Sequence, residues 1–139
     1  MLFLDSSAIA VILRRLRGKA AEIIRGGATL DLAGYELGNV VWKECVLKGS
    51  TTLEEAVKRA EDVAKILEIM RIESVEYTEN FVEVMKISAR LKITFYDASY
   101  LHIAKKNNFT LITGDKELEE KANEINVEAI STDEFLSKR

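Results

Sequence analysis

Phe109-Thr-Leu-Ile-Thr113-Gly-Asp115 carries a dense run of apolar and β-branched residues into a glycine and then an acid. Such residues suit a pleated, buried strand, so 109–113 reads as strand, Gly114 breaks it, and Asp115 sits just past its carboxyl end. The chain opens the same way: Leu2-Phe-Leu reads as a buried strand ending at Asp5. Further strands are expected over 28–33, 72–77 and 127–130. Between them lie longer stretches in which apolar residues recur at three and four. This alternation is the form of an α/β domain with a central, mainly parallel sheet of about five strands flanked by helices.

The helical stretches carry their own punctuation. Helical spacing over 8–16 and 19–24 is interrupted at Gly18 and closed by Gly26-Gly27, and residues 35–47 read as a helix ending at Gly49. Thr52 and Glu55 have the spacing of a capping box before a helix through Met70, and Ser131 with Glu134 repeats it before a terminal helix. Thr78 reads as the cap of a helix through Leu91. Residues 97–106 form another helix, closed by Asn107-Asn108, and a charged helix runs from 116 to about 124. With 139 residues, 47% of them apolar, and no repeat or linker, residues 1–139 are expected to form one compact domain.

Composition restricts the chemistry. A single cysteine, Cys45, makes no intrachain disulfide, and with a single histidine, His102, it excludes Cys/His zinc clusters. A metal in this chain is therefore held by oxygen, which points to Mg²⁺ or Mn²⁺. A net charge of −3 argues against nucleic-acid binding through bulk positive charge, while leaving room for a local basic face. The first five residues lack a basic leader, and the apolar run 8–13 is too short to span a bilayer, so a cytoplasmic protein is expected.

Four acids fall at telling positions: Asp5 after the first strand, Glu36 past the second, Asp97 at a helix start, and Asp115 after the 109–113 strand. Ligands of open parallel sheets bind outside the carboxyl ends of the strands, so these acids are expected at one edge. Carboxylates gathered in one pocket repel and raise one another's pKa unless a counter-charge is present, and a hard divalent cation supplies it. Metal-assisted phosphodiester hydrolysis is the chemistry such a set serves. Each acid also has an ordinary structural role. Asp5 and Asp97 suit helix N-caps, Asp115 suits a turn, and Glu36 suits a solvated first helical turn.

Four segments in this order resemble the PIN-domain nucleases, in particular the VapC-type toxins of prokaryotic toxin–antitoxin pairs: Phe3-Leu-Asp5-Ser-Ser7-Ala-Ile9, Tyr35-Glu36-Leu-Gly-Asn39-Val-Val41, Tyr96-Asp97-Ala-Ser-Tyr100-Leu-His-Ile-Ala104 and Leu111-Ile-Thr113-Gly-Asp115-Lys-Glu-Leu118. The last two are the most specific, and the resemblance spans essentially the whole chain. It implies a PIN-like fold and a metal-dependent endoribonuclease. Asp5, Glu36, Asp97 and Asp115 would form the catalytic Mg²⁺ or Mn²⁺ site, with Ser7 and Thr113 supporting it. It also implies a VapB-type antitoxin partner, a homodimer and no membrane association; Asn39 and Glu117 receive no role. The alternative of another class is a PIN-like module that binds RNA or a partner protein without cutting.

Other residues have two readings each. Arg14, Arg15, Arg17, Lys19 and Arg25 face only Glu22 in residues 8–27. Arg14, Arg15 and Arg17 read either as an RNA-binding rim beside Asp5 or as a solvated helix face. Lys105 and Lys106 suit a helix C-terminus. His102 reads as a partly buried structural histidine before a base, and Trp42 and Cys45 as core or interface residues. Tyr96 and Tyr100 read as packing before base stacking. The second acid of haloacid-dehalogenase phosphatases, the mid-chain phosphoacceptor and late lysine of receiver domains, and the P-loop are all missing.

Overall fold

The computed structural model describes residues Met1–Lys138. Five strands form one sheet: β1 (Leu2–Leu4), β2 (Ala28–Leu30), β3 (Arg71–Glu73), β4 (Thr110–Thr113) and β5 (Ala129–Ser131), in the order β3-β2-β1-β4-β5. Every pairing is parallel, with Phe3 beside Ala28 on one side and Leu111 on the other. The chain leaves β1 for β2 and β3 on one flank, then returns to place β4 on the other. The boundary between β1 and β4 is therefore the topological switch point, where crevices form at the carboxyl edge of such sheets.

Among the described residues eight α-helices cover the two faces: α1 (Ser6–Leu16), α2 (Ala20–Ile24), α3 (Leu32–Trp42), α4 (Leu53–Glu68), α5 (Tyr77–Leu91), α6 (Phe95–Asn107), α7 (Lys116–Glu124) and α8 (Thr132–Ser137). Period-two alternation divides the core between them. Phe3 and Leu111 enter the layer holding Leu101 of α6 and Leu118 of α7, whereas Leu4 and Ile112 enter the layer holding Ile9 and Ile12 of α1, Leu37 of α3 and Ile66 of α4. Phe3 also meets Tyr100 and Phe109, with ring centroids 5.8 and 5.6 Å away.

The capping signals are realised where their donors are present. Thr52 and Glu55 form a reciprocal box, and the Ser131 hydroxyl accepts from the Glu134 amide. Gly26 (φ +83°) makes the left-handed turn out of α2, and Asn108 (φ 56°) ends α6. No helix among the described residues is long and apolar enough to cross a membrane.

Several boundaries differ from the sequence expectation. β2 stops at Leu30, because α3 begins at Leu32 and takes the residues expected to extend the strand. The helix expected through Leu47 is regular only to Trp42 and continues as a π-helical segment, Lys43–Leu47. Glu76, not Thr78, precedes α5, and its side chain makes no capping bond. The helix expected from Asp97 starts two residues earlier, at Phe95, because the Thr94 hydroxyl caps it. β3 ends at Glu73 and β5 lies at Ala129–Ser131, later than expected.

Candidate active site

Asp5 follows β1 and is the most enclosed of the four acids, at 5% exposure. Its Oδ1 accepts from the Ala8 amide at 2.9 Å, which makes it the N-cap of α1, and from the Ser7 hydroxyl at 2.6 Å. Its Oδ2 accepts from the Thr113 hydroxyl at 2.5 Å, across the β1–β4 boundary. The same two hydroxyls accept in turn from the loop after β4: Gly114 N donates to Ser7 Oγ (2.9 Å) and Asp115 N to Thr113 Oγ1 (3.0 Å). A Cβ at Gly114 would stand 3.3 Å from Ser7 Oγ, so a side chain there would crowd this junction. Burial raises the Asp5 pKa, the bonds from Ser7, Thr113 and Ala8 oppose that rise, and nearby Glu36 adds to it.

The other three acids come from helices on both sides of the sheet. Glu36 lies in the second turn of α3, and its Oε1 accepts from the Tyr100 hydroxyl at 2.8 Å. Tyr100 is only 1% exposed, and burial together with the Glu36 charge holds its phenol protonated far above the usual range. Asp97 lies in the first turn of α6. Its backbone amide donates to Thr94 Oγ1 at 3.1 Å, so Thr94 does the capping. The Asp97 pKa is pushed up to about 6, by burial first and then by Asp115, Asp5 and Glu36. Asp115 caps α7 by accepting from the Leu118 amide at 3.2 Å while standing exposed at the edge.

All four acids thus share one neighbourhood, and none of them enters an ion pair among the described residues. Asp97 and Asp115 line a cleft of about 160 Å³ with Thr94, Glu117 and Lys92. Among the described residues no three His, Cys, Asp or Glu side chains are grouped closely enough to hold a metal ion as they stand. The carboxylates of Asp115, Asp5 and Glu36 nevertheless lie near enough to Asp97 to raise its pKa. An all-oxygen donor set of this kind suits a hard divalent cation and excludes a thiolate or multi-imidazole metal.

The N-cap reading holds at Asp5 and fails at Asp97, where Thr94 caps the helix, while Asp115, expected as a turn residue, is the N-cap of α7. Thr94 and the Tyr100 hydroxyl, which organise Asp97 and Glu36, were not assigned from sequence; a threonine three residues before the acid was the available signal for the first. Arg14, Arg15 and Arg17 lie at the far end of α1, about 14 Å or more along its axis from Asp5, and Arg15 pairs with Asp133 at 2.8 Å. They are not brought together with the acids. His102 Nε2 is 2.7 Å from Asn80 Oδ1, in the structural role expected of it. Trp42 is 47% exposed and so does not belong to the core, and Tyr96 is exposed beside the site.

Residues 2–124 match the PIN domain family. The chain is 32% identical to Ribonuclease VapC3 of Pyrobaculum aerophilum over 125 residues, covering 86% of this chain and 93% of that protein. It is also 32% identical to Exonuclease VapC9 of the same organism over 66% of this chain and 63% of that protein. The crystal structure of PAE2754 from Pyrobaculum aerophilum superposes with a TM-score of 0.81 at 27% identity, covering 99% of this chain and 94% of that one. With the parallel five-stranded sheet and this order of motifs, these likenesses establish that the chain belongs to the PIN-domain family, among its VapC-type members.

Proposed function

We propose that this chain is a metal-dependent endoribonuclease, the toxin of a toxin–antitoxin pair, and that it hydrolyses RNA phosphodiester bonds at Asp5, Glu36, Asp97 and Asp115 in the cytoplasm. One observation carries the reading: Asp5, Glu36 and Asp115 lie close enough to Asp97 to add to the rise that burial gives its pKa, to about 6, and among the described residues no cationic side chain pairs with any of the four. A cluster that raises the cost of its own ionisation in this way favours a small, hard, doubly charged guest. The relatives named VapC support the toxin assignment.

The chain's own residues divide the work. Ser7 and Thr113 fix both oxygens of Asp5, so one carboxylate is preset by β1 and β4. Tyr100 holds one oxygen of Glu36 and leaves the other for the site. Thr94 takes over the cap of α6, so that the Asp97 carboxylate is not spent on it. Mg²⁺ or Mn²⁺, when bound, supplies the counter-charge, polarises a phosphoryl oxygen and lowers the pKa of attacking water.

The assignment of partners follows the same reading. Val46, Leu47, Leu53 and Val57 are 50–73% exposed, apolar surface on and just before α4 that a VapB-type antitoxin or a second copy would cover. Sedimentation at micromolar concentration is expected to show a dimer.

The decisive assay is cleavage of a panel of RNAs by the purified protein. Mn²⁺-dependent cutting, abolished by EDTA and by Asp97→Asn, is expected. Full activity of Asp97→Asn would sink the site. Failure of the unaltered protein to cut any RNA with either metal would leave the non-cutting, binding-module reading.

A further inference from the structure

We propose that the basic groove between α5, α6 and the end of α7 binds backbone phosphates of the RNA strand whose scissile bond lies at the four acids; this rests on the nuclease reading above. The groove encloses about 440 Å³. Lys86 and Arg90 of α5 and Lys105 and Lys106 of α6 line it against a single acid, Glu83, in a chain whose net charge is −3. Two of the cations are held by protein partners: Lys86 Nζ lies 3.4 Å from Glu83 Oε1, and Lys105 Nζ donates to the Ile125 carbonyl at 2.8 Å. Arg90 and Lys106 are exposed and enter no ion pair among the described residues.

Position relates this groove to the acids. α6 carries Asp97 in its first turn and Lys105 and Lys106 in its last, about 12 Å farther along its axis. α7 begins beside Asp115 and ends beside Ile125, and the chain leaving α5 lines the acid cleft through Lys92 and Thr94. The same elements therefore line the acid cleft at one end and the basic groove at the other. Cations at a helix C-terminus answer its dipole, which accounts for Lys105 and Lys106 in the last turn of α6 and for Arg90 in the last turn of α5. It does not account for Lys86, in the body of α5, contributing to the same groove. A polyanion leaving the acids along α6 meets this surplus of charge, and phosphates recur along a single strand without regard to sequence.

The test measures the affinity of the full chain for a labelled single-stranded RNA in EDTA, by fluorescence anisotropy across a salt series. The unaltered protein is compared with Arg90→Ala/Lys106→Ala and with the control Lys58→Ala/Lys65→Ala on exposed positions of α4. Loss of two phosphate contacts is expected to weaken binding and to reduce the slope of log K against log salt by about 1.4, with the control unchanged. An unaltered slope and affinity in the groove variant, or no RNA binding by the unaltered protein, overturns the proposal. So does variant-sensitive binding of a polyglutamate peptide without RNA binding, which would make the groove a protein-docking site. Binding that depends on Arg90 and Lys106 in a protein that cuts no RNA would leave phosphate binding in the groove standing and overturn the nuclease reading alone.

Discussion

The Tyr100 hydroxyl donates to Glu36 Oε1 at 2.8 Å, joining α6 to α3 across the carboxyl edge of the sheet. Tyr100 is almost fully buried and stacks near Phe3, so the core of the domain fixes the position of one acid of the cluster. A hydrogen bond that orients a ligating carboxylate typically changes metal affinity or activity about 10- to 100-fold when removed.

Tyr100→Phe keeps the ring in the core and removes only the donor. Metal-dependent RNA cleavage is expected to fall about tenfold or more, with an Mn²⁺ affinity weakened in isothermal titration. Unchanged kcat and Mn²⁺ affinity would show that Glu36 needs no such anchor.

Thr113 donates to Asp5 Oδ2 and accepts from the Asp115 amide, two bonds from one buried hydroxyl. Thr113→Val preserves shape and removes both, leaving a buried carboxylate oxygen short of a donor. A loss of about 1–3 kcal/mol in urea denaturation is expected, and Thr113→Ser should recover most of it. Equal stability of the Val and Thr proteins would contradict the role assigned to this hydroxyl.

Asp97 has a folded pKa of about 6 against 3.8 for the free group. The folded protein therefore binds more protons than the unfolded chain between these values. Metal-free protein is expected to lose stability as pH rises from about 4 to 6, an effect that Asp5, also raised, reinforces. Asp97→Asn should flatten this fall in thermal denaturation followed across that range, and saturating Mg²⁺ should offset it at neutral pH. Stability that climbs over the same interval in metal-free protein would refute the clustering of charge.

The local code was sufficient for much of the architecture. Short stretches at 2–4, 28–33, 72–77, 109–113 and 127–130 marked the five strands, and Asp5 and Asp115 could be placed at the same edge because each lies just past the carboxyl end of a strand in a parallel arrangement. Boundaries were less legible where a helix started immediately after a strand, as at Leu32, since the apolar Leu32 and Ala33 extend the strand's apolar run while Gly34 argues against a helix there. Thr94 was passed over as a cap because Asp97, also a good cap, stood three residues on.

From the sequence by itself came the fold class, the exclusion of Cys/His zinc clusters and of an intrachain disulfide, and the positions of the four acids, because periodicity, residue counts and strand-end positions can be read along the chain without knowing how it folds. Only the tertiary structure decided which hydroxyl holds which acid, why Asp97 has so high a pKa, and which basic residues share a face. The last of these concerns placement alone: Arg14, Arg15 and Arg17 lie at the far end of α1 from Asp5, whereas Lys86 and Arg90, not singled out in the sequence, line one groove with Lys105 and Lys106. Charge interactions depend on distance in space, and residues 15 or more positions apart come together only when α5 packs on α6.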